Sequence, residues 1–435
     1  MRSFKGGVHP PYEKITSEKK IEELPPPEFV VIFLSQHTGA PCQPLVKKGD
    51  QVKKGQKIGD IDKPVTAPVH SPVSGKVKEI GMWDHPVFLK PMPAIIIEND
   101  GKDEEIEYKE DKNWLDIPAE EIRKRVREAG IVGLGGAAFP THIKLNPPKP
   151  VDTVIINGAE CEPYLTADDR LMREYPEDIL NGAYLVKKTV GANKVFIGIE
   201  DNKPKAFEEI KKNISNSPFK DGEIEVVKLH TKYPQGSEKH LIKAILNREV
   251  PSGGLPFDVG VVVQNVGTCK AIYEAVRYGK PLIERVLTLS GNIVKNPGNY
   301  KVRIGTTAKY IIEKTGGFMD NKEPQKVIFG GPMMGIAQYT LNAPVVKGTS
   351  GIIVLEEAPF YRTLPCIQCG RCVDVCPMGL SPTLIARNVK LKKIELAVEL
   401  GLFDCIECGS CSYICPSRRP LVEMIKYGKQ EAKKK

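Results

Sequence analysis

The sequence predicts a multidomain protein of mixed α/β and β architecture, built from four units in series. Three observations carry that prediction. Short β-rich pieces punctuated by glycine fill the first hundred residues. Strand-sized apolar runs then alternate with helical patterns. The last stretch, Cys366 to Pro416, holds two copies of one cysteine run, C-x2-C-x2-C-x3-C-P. We place the units at residues 1–105, 106–280, 281–357 and 358–435.

A chain of 435 residues has room for two to four domains. Hydrophobic content of 41% and charged content of 27% are those of an ordinary globular protein, so no fibrous or disordered class is indicated. The net charge of +9 is a mild excess, and part of it lies at the end, where residues 418–435 hold seven Lys/Arg against two Glu. Such a tail reads as a solvated basic segment or as one that touches RNA or an anionic membrane face. No nucleic-acid-binding motif accompanies it, so no nucleic-acid partner is expected. No apolar run approaches the roughly 18 residues of a membrane span, and Met1–Lys20 has no signal-peptide core. A reducing compartment and a peripheral membrane role at most are therefore expected.

The paired cysteine runs carry the most specific chemistry. Three thiolates within seven residues wrap one corner of an iron–sulfur cube, and a distant cysteine closes it. In two-cluster proteins with this run, the fourth cysteine of each copy ligates the other cluster. The expected sets for two [4Fe–4S] clusters are Cys366, Cys369, Cys372 and Cys415, and Cys405, Cys408, Cys411 and Cys376. Zinc uses C-x2-C pairs but has no need of a third cysteine followed by C-P. Disulfides are the weakest reading of eight closely spaced cysteines in a long chain. Cys42, Cys161 and Cys269 lie outside the pattern and receive no role.

In the first unit, F-K-G-G-V-H-P-P reads as an extended arm. The pieces that follow, V-V-I-F-L, G-D-Q-V-K-K-G-Q-K-I-G and S-P-V-S-G-K-V, argue a small all-β unit. The last two phrases resemble a lipoyl/biotinyl-type barrel-sandwich fold, in which a lysine at a hairpin tip carries the cofactor. Lys63 sits near that point, but a scaffolding barrel is the expected role. His37 and His70 have no partner spaced to join them as ligands and read as structural.

In the second unit, helices are expected at residues 118–129, 177–190, 204–214, 237–247 and 269–278. Strands are expected at residues 151–156, 194–199, 224–229 and 259–264. Apolar strands alternating with helices argue a Rossmann-like, mostly parallel sheet covered on both faces. The candidate chemistry lies in its loops. Gly133, Gly135 and Gly136 make a loop whose backbone can approach a phosphate or a flat ring. The loop follows a helix, so it is no dinucleotide fingerprint, and a tight inter-helix turn is the bland alternative. Asn157, Glu160 and Glu162 stand after a strand, Tyr233 and Glu238 on the next loop, and Asn265 and Thr268 at another strand end. Polar groups converging from several loops at strand ends indicate a site.

These phrases, G-x-G-G-A-x-F-P-T, N-x-x-E-x-E-P, Y-x-x-G-x-E and N-V-x-T, resemble the flavin- and NADH-binding 51-kDa subunit of respiratory complex I. The resemblance implies FMN cradled by the glycine loop and Lys144. It places Asn157, Glu160, Tyr233, Asn265 and Thr268 at flavin or nicotinamide positions, with Glu162 and Glu238 near NAD(H). The chain departs from that pattern at Ala159, Ser237 and Gly267, where the family has acidic residues.

The third unit, with strands and a P-G turn after Val286 and a helix closed by Gly316-Gly317, resembles the soluble-ligand-binding β-grasp domain (SLBB-like) of the same family. Spacing and docking are its expected roles. F-G-G-P-M-M-G reads as a packed turn with Met333 and Met334 as core. A strand is expected over Gly351–Leu355, and helical pattern over residues 380–401 between the cysteine runs, whose lysines would face water or an acidic ferredoxin-like partner.

Taken together, F-K-G-G-V-H-P, S-Q-H-T-G-A-P, G-D-x-V-x-x-G-Q-x-I-G, the flavoprotein phrases and the paired cysteine runs resemble the RnfC family of the Rnf ion-translocating electron-transport complex. The resemblance spans nearly the whole chain. It implies an electron-transfer component between NAD(H) and ferredoxin, peripheral on the cytoplasmic side of the inner membrane and docked on membrane-embedded partners. Hydride brings two electrons and a cluster takes one, and a flavin can mediate between them. No acid–base catalytic residue is assigned. The alternatives are an NADH-dependent cobalamin reductase of related architecture and a non-catalytic iron–sulfur relay scaffold.

Overall fold

A computed structural model describes residues 2–320 and 322–434. The first β unit is a sandwich of two small sheets. One runs in the order Phe29–Phe33, Pro91–Asn99, Gly75–Asp84, Gln51–Val52, and the other is Gln43–Pro44, Lys57–Asp60, Val69–His70. Its inward side chains do not close a separate core. Val30, Ile32, Ile58, Val77 and Ile95 belong to the same apolar cluster as Ile122, Val126, Val154 and Leu180 of the α/β unit. His37 is buried, and its Nε2 lies 3.0 Å from the Ala40 carbonyl and 3.2 Å from the Ala67 N–H. Burial holds its pKa down at about 4, and that of His70 at about 3. Both are structural. Lys63 is exposed in a short loop.

The α/β unit is a four-stranded, all-parallel sheet in the order Ile224–Leu229, Lys194–Glu200, Thr153–Gly158, Val261–Asn265. The chain first builds outward from the Thr153 strand on one side, then returns to lay the Val261 strand on its other side. The order therefore reverses between these two strands, and Asn157 and Asn265 at their C-terminal ends are register partners. Such a switch point leaves a crevice where open α/β sheets bind ligands. Helix Pro176–Val190 starts with Pro at its first position and ends at Gly191 in the left-handed region (φ 71°). Helix Val266–Tyr278 begins three residues earlier than its pattern suggests. The Asn265 side chain accepts from the Gly267 and Thr268 N–H groups, a cap that starts the helix directly at the strand's end.

One helix of this unit, Ala167–Glu174, was not expected. No element is expected over its residues, A-D-D-R-L-M-R-E. In the fold Asp169 and Arg170 are buried, and the guanidinium of Arg170 meets Glu174 at 2.5 Å.

The third unit is a six-stranded sheet in the order Ile21–Glu23, Gly298–Arg303, Glu284–Gly291, Gly351–Leu355, Lys326–Phe329, Ile336–Gln338, with helix Ala308–Lys314 closing its core. Its edge strand comes from the N-terminal arm, with Ile21 paired in parallel to Asn299. The packed-turn expectation needs one correction: Met334 is 51% exposed, because the turn's backbone rather than its side chains makes the contact described below.

In the last unit, short helices Arg371–Asp374 and Ser410–Tyr413 follow the two C-x2-C corners. Helices Pro382–Lys390, Ile394–Glu399 and Leu421–Ala432 pack together through Ile385, Val389, Ile394 and Ile425. The basic terminal stretch is thus no free tail. Its helix buries Leu421, Val422 and Ile425, leaves Lys426 exposed, and ties Lys429 to the Cys405 carbonyl at 2.6 Å and to Glu407 at 2.8 Å.

Candidate functional site

The two cysteine runs fold as copies of one another. Gln368 and Glu407 take positive φ (56° and 60°), and Gly370 and Gly409 follow at 76° and 79°. This conformation curls the backbone so that its N–H groups face sulfur. Gln368 N–H donates to Cys366 Sγ, and Glu407 N–H to Cys405 Sγ, both at 3.4 Å. Leu380 N–H donates to Cys376 Sγ at the same distance. The sulfurs gather across the runs. Cys372 lies under the influence of Cys415 and Cys366, and Cys411 under that of Cys405, Cys408 and Cys376. Among the described residues no three His, Cys, Asp or Glu side chains converge on a single-ion position. A cubane needs its four thiolates around a larger body than one ion, so the donor set, its cross-run grouping and the N–H···S bonds fit iron–sulfur clusters.

The two sites differ in burial. Cys366 and Cys369 are exposed, whereas Cys408 and Cys411 are each 7% exposed. The thiols of Cys376, Cys405, Cys408 and Cys411 line a cavity walled by Leu380, Ile406, Val422 and Ile425. Burial beside its three sister thiols pushes the Cys411 pKa up to about 12. We call this the inner site and the set with Cys366 the outer one. The inner site abuts the α/β unit. Tyr233 Oη donates to the Cys408 carbonyl at 2.8 Å, and His240 Nε2 lies 3.1 Å from the Pro377 carbonyl.

The loops at the sheet switch point converge as well. The glycine loop is exposed at Gly135 and Gly136, and the N–H groups of Gly135, Gly136 and Ala137 have no acceptor among the described residues. The loop is held from below, where Leu134 N–H donates to Thr268 Oγ1 at 2.9 Å and its carbonyl accepts from Arg285 Nη2 at 2.6 Å. A Cβ on Gly135 would stand 3.1 Å from Asn265, so this position has little room for any side chain. Asn265 Nδ2 donates to Asp168 at 2.7 Å, and Asn157 Nδ2 to the Gly236 carbonyl at 2.8 Å. Lys144 is ion-paired with Glu238 at the rim. Gln235 is fully buried, and neither atom of its amide has a hydrogen-bond partner. Free loop N–H groups, an adjacent cation and an orphaned buried amide, all beside the switch point, fit a phosphorylated flat-ring cofactor.

The structure assigns several expected residues to support rather than to an open crevice. Glu160 accepts from the N–H groups of Asp168 (2.7 Å) and Asp169 (3.2 Å) and so caps the unexpected helix. Glu162 accepts from Met333 N–H (3.0 Å) and Met334 N–H (2.9 Å) of the β-grasp unit. Gly331 beside it leaves no room for a Cβ. Burial raises the Glu162 pKa to about 7. Tyr233 is 1% exposed, and its hydroxyl faces the inner cysteine site. Sequence reasoning missed Lys14, Gln235 and Cys161. Lys14 Nζ donates to the carbonyls of Glu160 (2.8 Å), Glu162 (2.9 Å) and Leu165 (2.5 Å). Cys161 accepts from Gly236 N–H at 3.2 Å, between the loop site and the inner site. No local signal marks Lys14 or Cys161, because their partners are distant in sequence, and none marks Gln235, whose burial arises only in the fold.

Comparison with known proteins follows the same division. The model of the RnfC barrel sandwich hybrid domain matches residues 2–102, and that of the Nuo51 FMN-binding domain residues 126–274. The SLBB domain model matches residues 286–337 and the 4Fe-4S dicluster domain model residues 358–416. The C subunit of the proton-translocating ferredoxin:NAD(+) oxidoreductase complex of Clostridium ljungdahlii is 51% identical over 438 residues, covering 99% of this chain and 94% of that protein. The C subunit of the Na(+)-translocating ferredoxin:NAD(+) oxidoreductase complex of Acetobacterium woodii is 49% identical, covering 99% and 97%. The C subunit of the ion-translocating oxidoreductase complex of Rhodobacter capsulatus is 45% identical, covering 98% and 82%.

Proposed function

Because the chain belongs to the family of C subunits of ion-translocating ferredoxin:NAD(+) oxidoreductase complexes, we propose that it is the electron-transfer subunit of such a complex, working between NAD(H) and ferredoxin. FMN and two [4Fe–4S] clusters supply the electron-carrying chemistry when bound. No helix among the described residues is long and apolar enough to cross a membrane, and the protein attaches peripherally to membrane partners, on the cytoplasmic side.

We propose the following division of labour among the residues. Gly133, Gly135 and Gly136 with Lys144 would hold FMN. Asn157, Asn265 and Thr268 fix the loops around it, and Thr268 does so through the Leu134 N–H. Glu160, Glu162 and Lys14 brace the loop floor against the Ala167 helix and the β-grasp turn. Tyr233 and Glu238 stand on the loop that runs from the inner cysteine site to the Lys144 rim. The inner site is held by Cys376, Cys405, Cys408 and Cys411, and the outer by Cys366, Cys369, Cys372 and Cys415.

The single observation that carries this reading is the graded burial of the two cysteine sets. The one joined to the α/β unit by Tyr233 is enclosed, and the other opens to solvent. That arrangement suits a path from an interior site to a docking partner. The test is anaerobic reconstitution with iron, sulfide and FMN, followed by mixing with NADH in a stopped-flow instrument. Flavin bleaching followed by loss of cluster absorbance is the expected result. Full iron content with no FMN uptake and no response to NADH overturns the reading and leaves a relay scaffold.

A further inference from the structure

We propose that the N-terminal arm, residues 2–16, is a positioning element that sets the inner cysteine site against the loop site, with Gly6 and Gly7 as its point of contact. The proposal rests on the reading above. The arm threads between the α/β unit and the cysteine unit. Gly7 N–H donates to the Val375 carbonyl at 2.8 Å, one residue before the inner ligand Cys376. On its other side Val8 forms an antiparallel bridge with Tyr233, through N–H···O bonds of 2.8 and 2.9 Å. Phe4 packs on His240 with ring centroids 4.6 Å apart, and Lys232 Nζ donates to the Phe4 carbonyl at 2.9 Å.

The arm therefore braces Tyr233 and His240, the two side chains that reach from the α/β unit to backbone carbonyls beside the inner thiols. Farther along, the Tyr12 carbonyl accepts from Tyr164 N–H at 2.9 Å, and Lys14 gathers three carbonyls of the 160–165 loop. One continuous strap thus touches the inner ligand loop at one end and the floor of the loop site at the other.

Glycine is required at the contact for two reasons. Both Gly6 and Gly7 have φ near 82°, in the left-handed region. A Cβ on Gly6 would stand 2.8 Å from the Cys376 carbonyl oxygen and 3.1 Å from Pro377 Cα, both backbone atoms with no freedom to rotate away. Any side chain there must displace the inner ligand loop, and electron exchange between bound groups falls steeply with their separation.

The experiment uses the full reconstituted chain and two variants, Gly6→Ala and Phe4→Ala, with Lys5→Ala on the exposed side of the arm as control. We expect NADH to bleach the flavin at the wild-type rate, within twofold. The following cluster phase should slow severalfold, beyond the margin allowed for the flavin phase. The inner cluster's midpoint potential and EPR signature should shift while those of the outer cluster hold, and hydrogen exchange should rise at residues 375–378. If both phases and the inner potential match wild type in both variants, the proposal fails. It also fails if the two phases decline together with iron content and Tm, because the arm is then a stabiliser of the fold alone. If the wild-type chain takes up no FMN, the loop-site reading is what fails, and the inner-cluster potential and exchange still decide the role of the arm.

Discussion

At the scale of single residues, the cysteines and Glu162 make the sharpest claims. In the proposed assignment Cys415 closes the set of the first run and Cys376 that of the second, so substitutions should act across the runs. Cys415→Ala is expected to perturb the EPR signal of the cluster held by Cys366, Cys369 and Cys372 and to leave the Cys405 set intact, and Cys376→Ala to do the reverse. A Cys415→Ala protein that loses the Cys405 cluster instead would sink the assignment. Glu162 is a carboxyl whose folded pKa, about 7, lies above its unfolded value because burial opposes its charge. The native state therefore holds this proton more tightly than the unfolded chain does. The associated stability is complete below about pH 4.5 and is lost as pH rises through 7. Relative to Glu162→Gln, wild-type stability should fall across that window by on the order of 3 kcal/mol at most. Denaturant titrations of both proteins at pH 5 and pH 8 measure it, and parallel pH profiles would refute it.

At the scale of elements, what the sequence made legible was what its chemistry keeps local. The cysteine runs declare themselves because a cluster corner needs three thiolates within seven residues. The four parallel strands declare themselves because both faces are covered and apolar. The helix Ala167–Glu174 did not, because two of the groups that hold it lie outside the window: Glu160, which accepts from the N–H groups of its first turn, and Glu18, which pairs with Arg173 beside the internal pair Arg170–Glu174. The strand Ile21–Glu23 was equally hidden, since three residues pair with a strand almost three hundred positions away. Of the loop site, positions were legible but duties were not. Glu162 looks like a ligand-facing acid until Met333 and Met334 arrive from another unit.

The terminal helix is a testable case of the same kind. Its lysines suggest a solvated tail, but Ile425 is 1% exposed and Gly428 lies against Val389. Ile425→Ala should cost about 2–5 kcal/mol of stability in the cysteine unit, seen as a lower denaturant midpoint when cluster absorbance is the probe. Lys426→Ala, on the exposed face, should leave the midpoint within about 0.5 kcal/mol. Equal, negligible effects would return the helix to the status of a tail.

At the scale of the whole molecule, the units are arranged as a gradient from enclosure to exposure. The sandwich and α/β units share one core, the arm and the β-grasp turn lock the loop site, and Cys408 and Cys411 of the inner set are buried. Of the eight cysteines of the two runs only Cys366 and Cys369 are exposed, on a face that displays Arg362, Arg371 and Arg418, with the Arg418 guanidinium 3.6 Å above the Tyr361 ring. Two consequences should be separable in one set of experiments with the assembled complex. Cys366→Ala should leave NADH-driven bleaching of the inner cluster intact while abolishing exchange with the complex's next carrier. Arg371→Gln with Arg418→Gln should instead keep both clusters and slow only the bimolecular encounter with an acidic partner. That encounter is steered by long-range attraction, so its rate in wild type should fall steeply as salt rises from 0.01 to about 0.15 M, over which the screening length shrinks from ~30 to ~8 Å. The double variant should begin slow and lose most of that salt dependence. A wild-type rate indifferent to salt, or an equal slope in the variant, would mean that the outer face is not where the partner docks. Retention of electron exchange in Cys366→Ala would mean that the graded burial does not mark the exit.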